Sequence, residues 1–179
     1  MTKPPEHLCR ILVSACLLGH PVRYHGGGAS RVDAVLSRWL AEGRLVPVCP
    51  EVAGGLPTPR PPAEIEPGGA GATVLRGKHR VIDATGQDVT MPFVTGADRA
   101  VLLAREHNVA FAVLKESSPS CGRLNVYDGH FSGLRVPGMG VAAARLEDCG
   151  IKVFSDTQLE AAERWLQALE HGEGHSFDI

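Results

Sequence analysis

Val109-Ala110-Phe111-Ala112-Val113-Leu114-Lys115-Glu116-Ser117-Ser118-Pro119-Ser120-Cys121-Gly122 is the stretch whose reading decides the fold. Its first six residues form a short continuous apolar run, which reads as a buried strand. The chain then turns polar, with three serines, a proline and a cysteine. Such a change marks the carboxyl end of a central strand, the place where open α/β sheets bind ligands. Two other runs end the same way. Arg10-Ile11-Leu12-Val13-Ser14-Ala15 leads into Cys16, and Arg44-Leu45-Val46-Pro47-Val48 leads into Cys49. The expectation is that Cys16, Cys49 and Cys121 meet at one edge of one sheet.

Between these runs the pattern is mostly helical. Val32, Val35, Leu36, Trp39 and Leu40 recur at helical spacing, with Gly43 as a stop. Residues 95–107 predict a long helix with Ala97, Ala100, Val101 and Ala104 on one face. Gly138-Met139-Gly140 opens a helix over 141–148, stopped by Gly150. Residues 151–154 read as a last strand, and Ser155-Asp156 as the cap of a final helix striped by Leu159, Ala162, Trp165, Leu166 and Leu169. The tail from His171 reads as polar and frayed.

Four segments look irregular or peripheral. The glycine-rich loop from Leu17 to Gly28 suits close approach or motion, but lacks the spacing of a phosphate-binding fingerprint. Residues 50–64 hold too much proline and glycine for regular structure and read as an ordered loop folded over the site. Residues 72–75 and 80–83 look like one small hairpin about Gly77, and residues 125–133 like another turning at Asp128-Gly129. Strands separated by helices predict an α/β fold: a mostly parallel, Rossmann-like sheet flanked by helices, with small peripheral β-hairpins. The 179 residues favour one domain over the whole of 1–179.

Composition narrows the function. Hydrophobic residues make up 44%, which fits a globular chain. No apolar run approaches the ~20 residues that span a bilayer, and Met1 to His7 carry no signal-peptide core, so a cytoplasmic protein is expected. The formal net charge is −2, with no long basic run, so no extended nucleic-acid surface is indicated. Arg23, Arg60, Lys115 and Arg123 lie beside the loops of interest and could make a local basic pocket.

The five cysteines are odd in number and include no Cys-x-x-Cys pair. That argues against a disulfide framework, a zinc ribbon and a thioredoxin motif. Cys9 and Cys149 read as structural. Three thiolates at strand ends can bind a metal and leave one position open. Zinc with three protein ligands and water is one such site. A [4Fe–4S] cluster on three cysteines is the other, and an all-cysteine set with no histidine partner tilts towards it. Glu51, two residues past Cys49, is placed to act as a general base on water, or else caps a backbone turn. Ser117 could hydrogen-bond a substrate heteroatom or relay a proton; Ser14 and Ser118 are weaker candidates for substrate binding. Serines in such turns often serve only the backbone.

Three segments together resemble the thiouracil desulfidase (TudS-like) family. They are Val13-Ser14-Ala15-Cys16-Leu17-Leu18-Gly19; Val48-Cys49-Pro50-Glu51-Val52-Ala53-Gly54-Gly55-Leu56 with Pro59-Arg60-Pro61-Pro62-Ala63-Glu64; and Lys115-Glu116-Ser117-Ser118-Pro119-Ser120-Cys121-Gly122. The likeness runs on through Gly138-Met139-Gly140-Val141 and Ile151-Lys152-Val153-Phe154-Ser155, to about Thr157. It implies a [4Fe–4S] cluster on Cys16, Cys49 and Cys121, with Glu51 and Ser117 as the catalytic carboxylate and serine. It implies a non-redox desulfuration in which the cluster acts as Lewis acid and sulfide acceptor, turning 2-thiouracil or a related thiolated base, nucleoside or nucleotide into the uracil-type product. One departure stands in the first loop, where His25 occupies a position expected to be acidic or an amide. The rival readings are a zinc hydrolase on the same cysteines and a non-enzymatic iron–sulfur sensor or binding module. The oligomeric state is not legible.

Overall fold

The computed structural model describes residues 8–30 and 32–172. The expectations for Met1 to His7 and for the tail beyond Gly172 lie outside the described residues. The elements follow in chain order: β1 (Arg10–Ser14), α1 (Ala34–Ala41), β2 (Leu45–Val48), α2 (Pro50–Ala53), β3 (Ala63–Ile65), α3 (Gly71–Leu75), β4 (Val81–Asp83), α4 (Thr90–Glu106), β5 (Val109–Leu114), β6 (Asn125–Tyr127), β7 (Arg135–Pro137), α5 (Val141–Asp148), β8 (Val153–Ser155) and α6 (Leu159–Glu170).

The central sheet has the order β2-β1-β5-β8, and all its pairings are parallel. Its registers set Ser14 beside Val48, Val13 beside Val113 and Leu114 beside Ser155, so the strand ends share one edge. The chain moves from β1 outward to β2, then returns to the other side of β1 at β5. That reversal is the topological switch point at which α/β sheets open a crevice. Alternation along each strand fills both faces. Ile11, Val13, Phe111 and Phe154 pack with Trp39 of α1 and Leu159, Ala162 and Leu166 of α6. Leu12, Val46, Ala112, Leu114 and Val153 pack on the other face with Ala100 and Ala104 of α4 and Ala143 and Leu146 of α5. This is the expected α/β architecture, with small antiparallel pairs β3–β4 and β6–β7 at the periphery.

Several local expectations need correction. Residues 72–75 are not a strand. They lie in α3, where the Thr73 hydroxyl accepts from the Ala70 N–H and donates to its carbonyl, closing a turn that buries Val74. β4 therefore pairs with β3, supplied by the proline-rich segment itself. That segment also begins as helix, because Pro50 at the first helical position costs no hydrogen bond there. Helix α4 starts at Thr90 and not at 95; Pro92 is tolerated in the first turn, and Asp88 accepts from the Thr90 N–H and hydroxyl. Val32 is 101% exposed and precedes α1, whose start Asp33 caps through the Val35 and Leu36 N–H groups.

A second hairpin is present, but it does not turn at Asp128-Gly129: its second arm is Arg135–Pro137, beyond the expected 133, and the loop 128–134 joins the two arms. The buried Glu64 carboxylate accepts from the Gly129 and Phe131 N–H groups and so anchors that loop to β3. The last strand runs Val153–Ser155 and not 151–154. Ser155 and Asp156 do not cap the final helix. Gln158 precedes it, and Asp156 instead accepts the Glu116 N–H, which ties β8 to the loop after β5.

Candidate metal centre and active site

Each of the three cysteines sits where its strand stops. Cys16 lies in a 3-10 turn (Ala15–Leu18) directly after β1, and Cys49 is the residue between β2 and α2. Cys121 closes the turn that follows β5, where the Ser118 hydroxyl accepts from the Ser120 and Cys121 N–H groups. All three line one cavity of about 510 Å³, together with Glu51, Ser14, Ser117 and Ser118. The structure thus brings the three candidate ligands and the candidate catalytic and substrate-binding residues to one cavity. Cys9 and Cys149 are not among the lining residues.

The thiols sit in an environment that wants positive charge. Burial, then repulsion from Cys49, pushes the Cys16 thiol up to about 11, although Arg23 and Lys115 pull the other way. Burial also raises Cys49, opposed by the backbone N–H of Val52. Cys121 is raised furthest by its burial; the Ser14 hydroxyl beside it favours the thiolate, while Cys16, Cys49 and Glu51 oppose it. Three thiols that repel one another as thiolates become good ligands when a cation supplies the missing charge.

Glu51 is fixed by a partner that the sequence did not reveal. The Arg60 guanidinium donates through Nε to Glu51 Oε2 at 2.8 Å and reaches the same oxygen through Nη2 at 2.6 Å. Arg60 also donates to the carbonyls of Val22 and Pro57 and to the Thr58 hydroxyl, so it clamps the first loop to the second. Ser117 takes a left-handed backbone, with φ of 65°, rare for a residue other than glycine. Its hydroxyl accepts from Arg135 of β7 at 3.2 Å, a second partnership invisible in the sequence.

The loop that carries Ser117 and Cys121 is wound around Glu116. Glu116 Oε1 accepts from the N–H groups of Ser117, Arg123, Leu124 and Asn125 at 3.0–3.2 Å. Burial disfavours the charge, but the Ser155 hydroxyl and these N–H groups outweigh it and hold the carboxyl below its ordinary range. A glutamate flanked by lysine and serine gives no sign of such a role in sequence. Among the candidate cations, Arg23, Arg60 and Lys115 line the cavity. Arg123 does not; it donates to the Val153 carbonyl and lies by Glu147. His25 is also outside the lining, its Nδ1 accepting from the Gly27 N–H. Tyr24, Tyr127 and Phe131 supply aromatic surface at the cavity wall.

Comparison with known proteins shows the chain's family. The family model described as 2-thiouracil desulfurase matches residues 11–158. A curated relative, the uncharacterized protein YbbK of Bacillus subtilis, is 43% identical over 149 residues, spanning 83% of this chain and 97% of its own. A solved structure described as the [4Fe-4S]-dependent thiouracil desulfidase TudS superposes with a TM-score of 0.80 at 45% identity, covering 89% of this chain and 98% of that one.

Proposed function

Because the chain belongs to the 2-thiouracil desulfurase family, we propose that it removes sulfur from a thiolated pyrimidine at a [4Fe–4S] cluster held by Cys16, Cys49 and Cys121. The substrate is 2-thiouracil or a related thiolated base, nucleoside or nucleotide, and residues 1–179 act as one domain. The observation that carries this is the convergence of three strand-end thiols, and no other cysteine, on one cavity that also holds Glu51 and Ser117.

The donor set fits the group. Thiolates are the ligands iron–sulfur clusters favour, and three of them leave one iron open. A cavity lined by three cysteines and no histidine is the donor set that favours the cluster over zinc. When bound, the cluster supplies a Lewis-acidic iron that polarises the thiocarbonyl and accepts the departing sulfide.

The chain's own residues do the rest. Both Arg60 contacts fall on Glu51 Oε2, which leaves Oε1 to meet a water. Glu51 takes a proton from that water as its oxygen attacks the carbon bearing sulfur. Ser117, whose hydroxyl oxygen accepts from Arg135, presents its proton to a ring heteroatom. Tyr24, Tyr127 and Phe131 offer faces for a flat ring. The balance is a thiocarbonyl and water giving a carbonyl and hydrogen sulfide, with no electron transferred.

The test is anaerobic reconstitution with iron and sulfide, then incubation with 2-thiouracil while sulfide and uracil are measured. About four irons per chain with uracil formed in step with sulfide is the expected result. Iron bound without sulfide release from any thiolated pyrimidine would reassign the protein as a sensor or binding module. Zinc in place of iron would reassign it as a hydrolase.

A further inference from the structure

Ser120 stands immediately before Cys121, is only 1% exposed and lines the cavity. Its backbone is fully engaged: the N–H donates to the Ser118 hydroxyl at 3.1 Å, and the carbonyl accepts from the Ala142 and Ala143 N–H groups. Its own hydroxyl has no hydrogen-bond partner, although it is buried. Burying an unmade hydrogen bond is costly, and alanine would fill the same place without that cost. Ser120 lines the cavity, so the acceptor its hydroxyl lacks can be supplied by what the cavity binds. Ser14, at the end of the neighbouring strand β1, has a related setting. Its Oγ accepts the Lys115 N–H at 2.9 Å, which commits a lone pair and leaves its proton to donate, and it lines the same cavity as Cys121.

We propose that Ser120 and Ser14 are positioning residues for the metal centre, donating hydrogen bonds to its sulfur atoms: Ser14 to the Cys121 thiolate, and Ser120 to a sulfur of the bound cluster. The inference rests on the cluster reading above. Hydrogen bonds to cluster sulfurs draw electron density from the metal, raise its reduction potential and strengthen its hold. In a reaction without redox change, the same withdrawal keeps the open iron electrophilic towards a thiocarbonyl.

The experiment compares the reconstituted wild type with Ser120→Ala, Ser14→Ala and Ser14→Thr under anaerobic conditions. Cluster loss to an iron chelator is followed by visible absorbance, and the reduction midpoint is read by EPR-monitored titration. Ser120→Ala and Ser14→Ala are expected to bind iron, to lose it about 10–100-fold faster, and to have midpoints more negative than wild type. Ser14→Thr keeps the hydroxyl and restores both readings, which separates a lost donor from a damaged fold. Wild-type release rates and potentials in both alanine variants would overturn the inference while leaving the cluster reading intact. A wild type that takes up no iron would overturn both.

Discussion

Replacing Glu116 with glutamine tests how the site loop is held. The side chain keeps its size and an oxygen acceptor but loses its charge. Four backbone N–H groups, from Ser117, Arg123, Leu124 and Asn125, converge on Oε1. A hydrogen bond to a charged group contributes about 1.5–3 kcal/mol, and a neutral one about 0.5–1.5 kcal/mol. Each of the four weakens by about 1 kcal/mol on this arithmetic. Because the bonds share one acceptor they do not add fully, and a total loss of about 2–4 kcal/mol is expected. The assay is urea denaturation of the cluster-free protein, read as a change in midpoint at constant slope. The loss also has a pH signature. The folded carboxyl sits below its ordinary value, so its stabilisation is fully present above the unfolded pKa of ~4.3 and disappears as pH falls through the lower folded value. The gap between wild type and Glu116→Gln is therefore widest near neutrality and closes in acid. A gap below 0.5 kcal/mol near neutrality, on the order of an ordinary surface substitution, or one constant down to strong acid, would refute this account.

Four further outcomes are expected. Glu51→Gln retains iron but loses desulfuration by at least ~10²-fold, the usual contribution of a general base, measured by sulfide release. Arg60→Met strands a carboxylate whose side chain is only 14% exposed and destabilises the cluster-free protein by about 3–5 kcal/mol, whereas adding Glu51→Gln recovers part of that loss in a double-mutant cycle. Gly96→Ala puts a Cβ against the Pro50 carbonyl, costs about 1–3 kcal/mol by denaturation and lowers iron retention, because it pushes on the helix beside Cys49 and Glu51. Cys16→Ser, Cys49→Ser and Cys121→Ser each reduce iron per chain after reconstitution, while Cys9→Ser and Cys149→Ser leave it at the wild-type level.

The sequence by itself determined the sheet. Continuous apolar runs at residues 10–14, 45–48 and 109–114 have no amphipathic alternative, so they had to be strands buried on both faces, and the helical stripes between them forced parallel crossovers. Once the strands are parallel, the residues that follow them share an edge, which is why Cys16, Cys49, Cys121, Glu51 and Ser117 were legible as one cluster. The peripheral elements were not legible, because four- or five-residue segments such as 72–75 carry too little periodicity to separate a helical turn from a strand. Only the tertiary structure decided which side chains hold the site. Arg60 on Glu51, Arg135 on Ser117, Asp156 on the Glu116 N–H and Glu116 at the centre of its loop are polar contacts, two of them between segments distant in the chain and all of them between residues that no hydrophobic pattern pairs. Hydrophobic patterning records which face a residue buries. The partner of a buried charge depends on three-dimensional distance, and no local pattern encodes it.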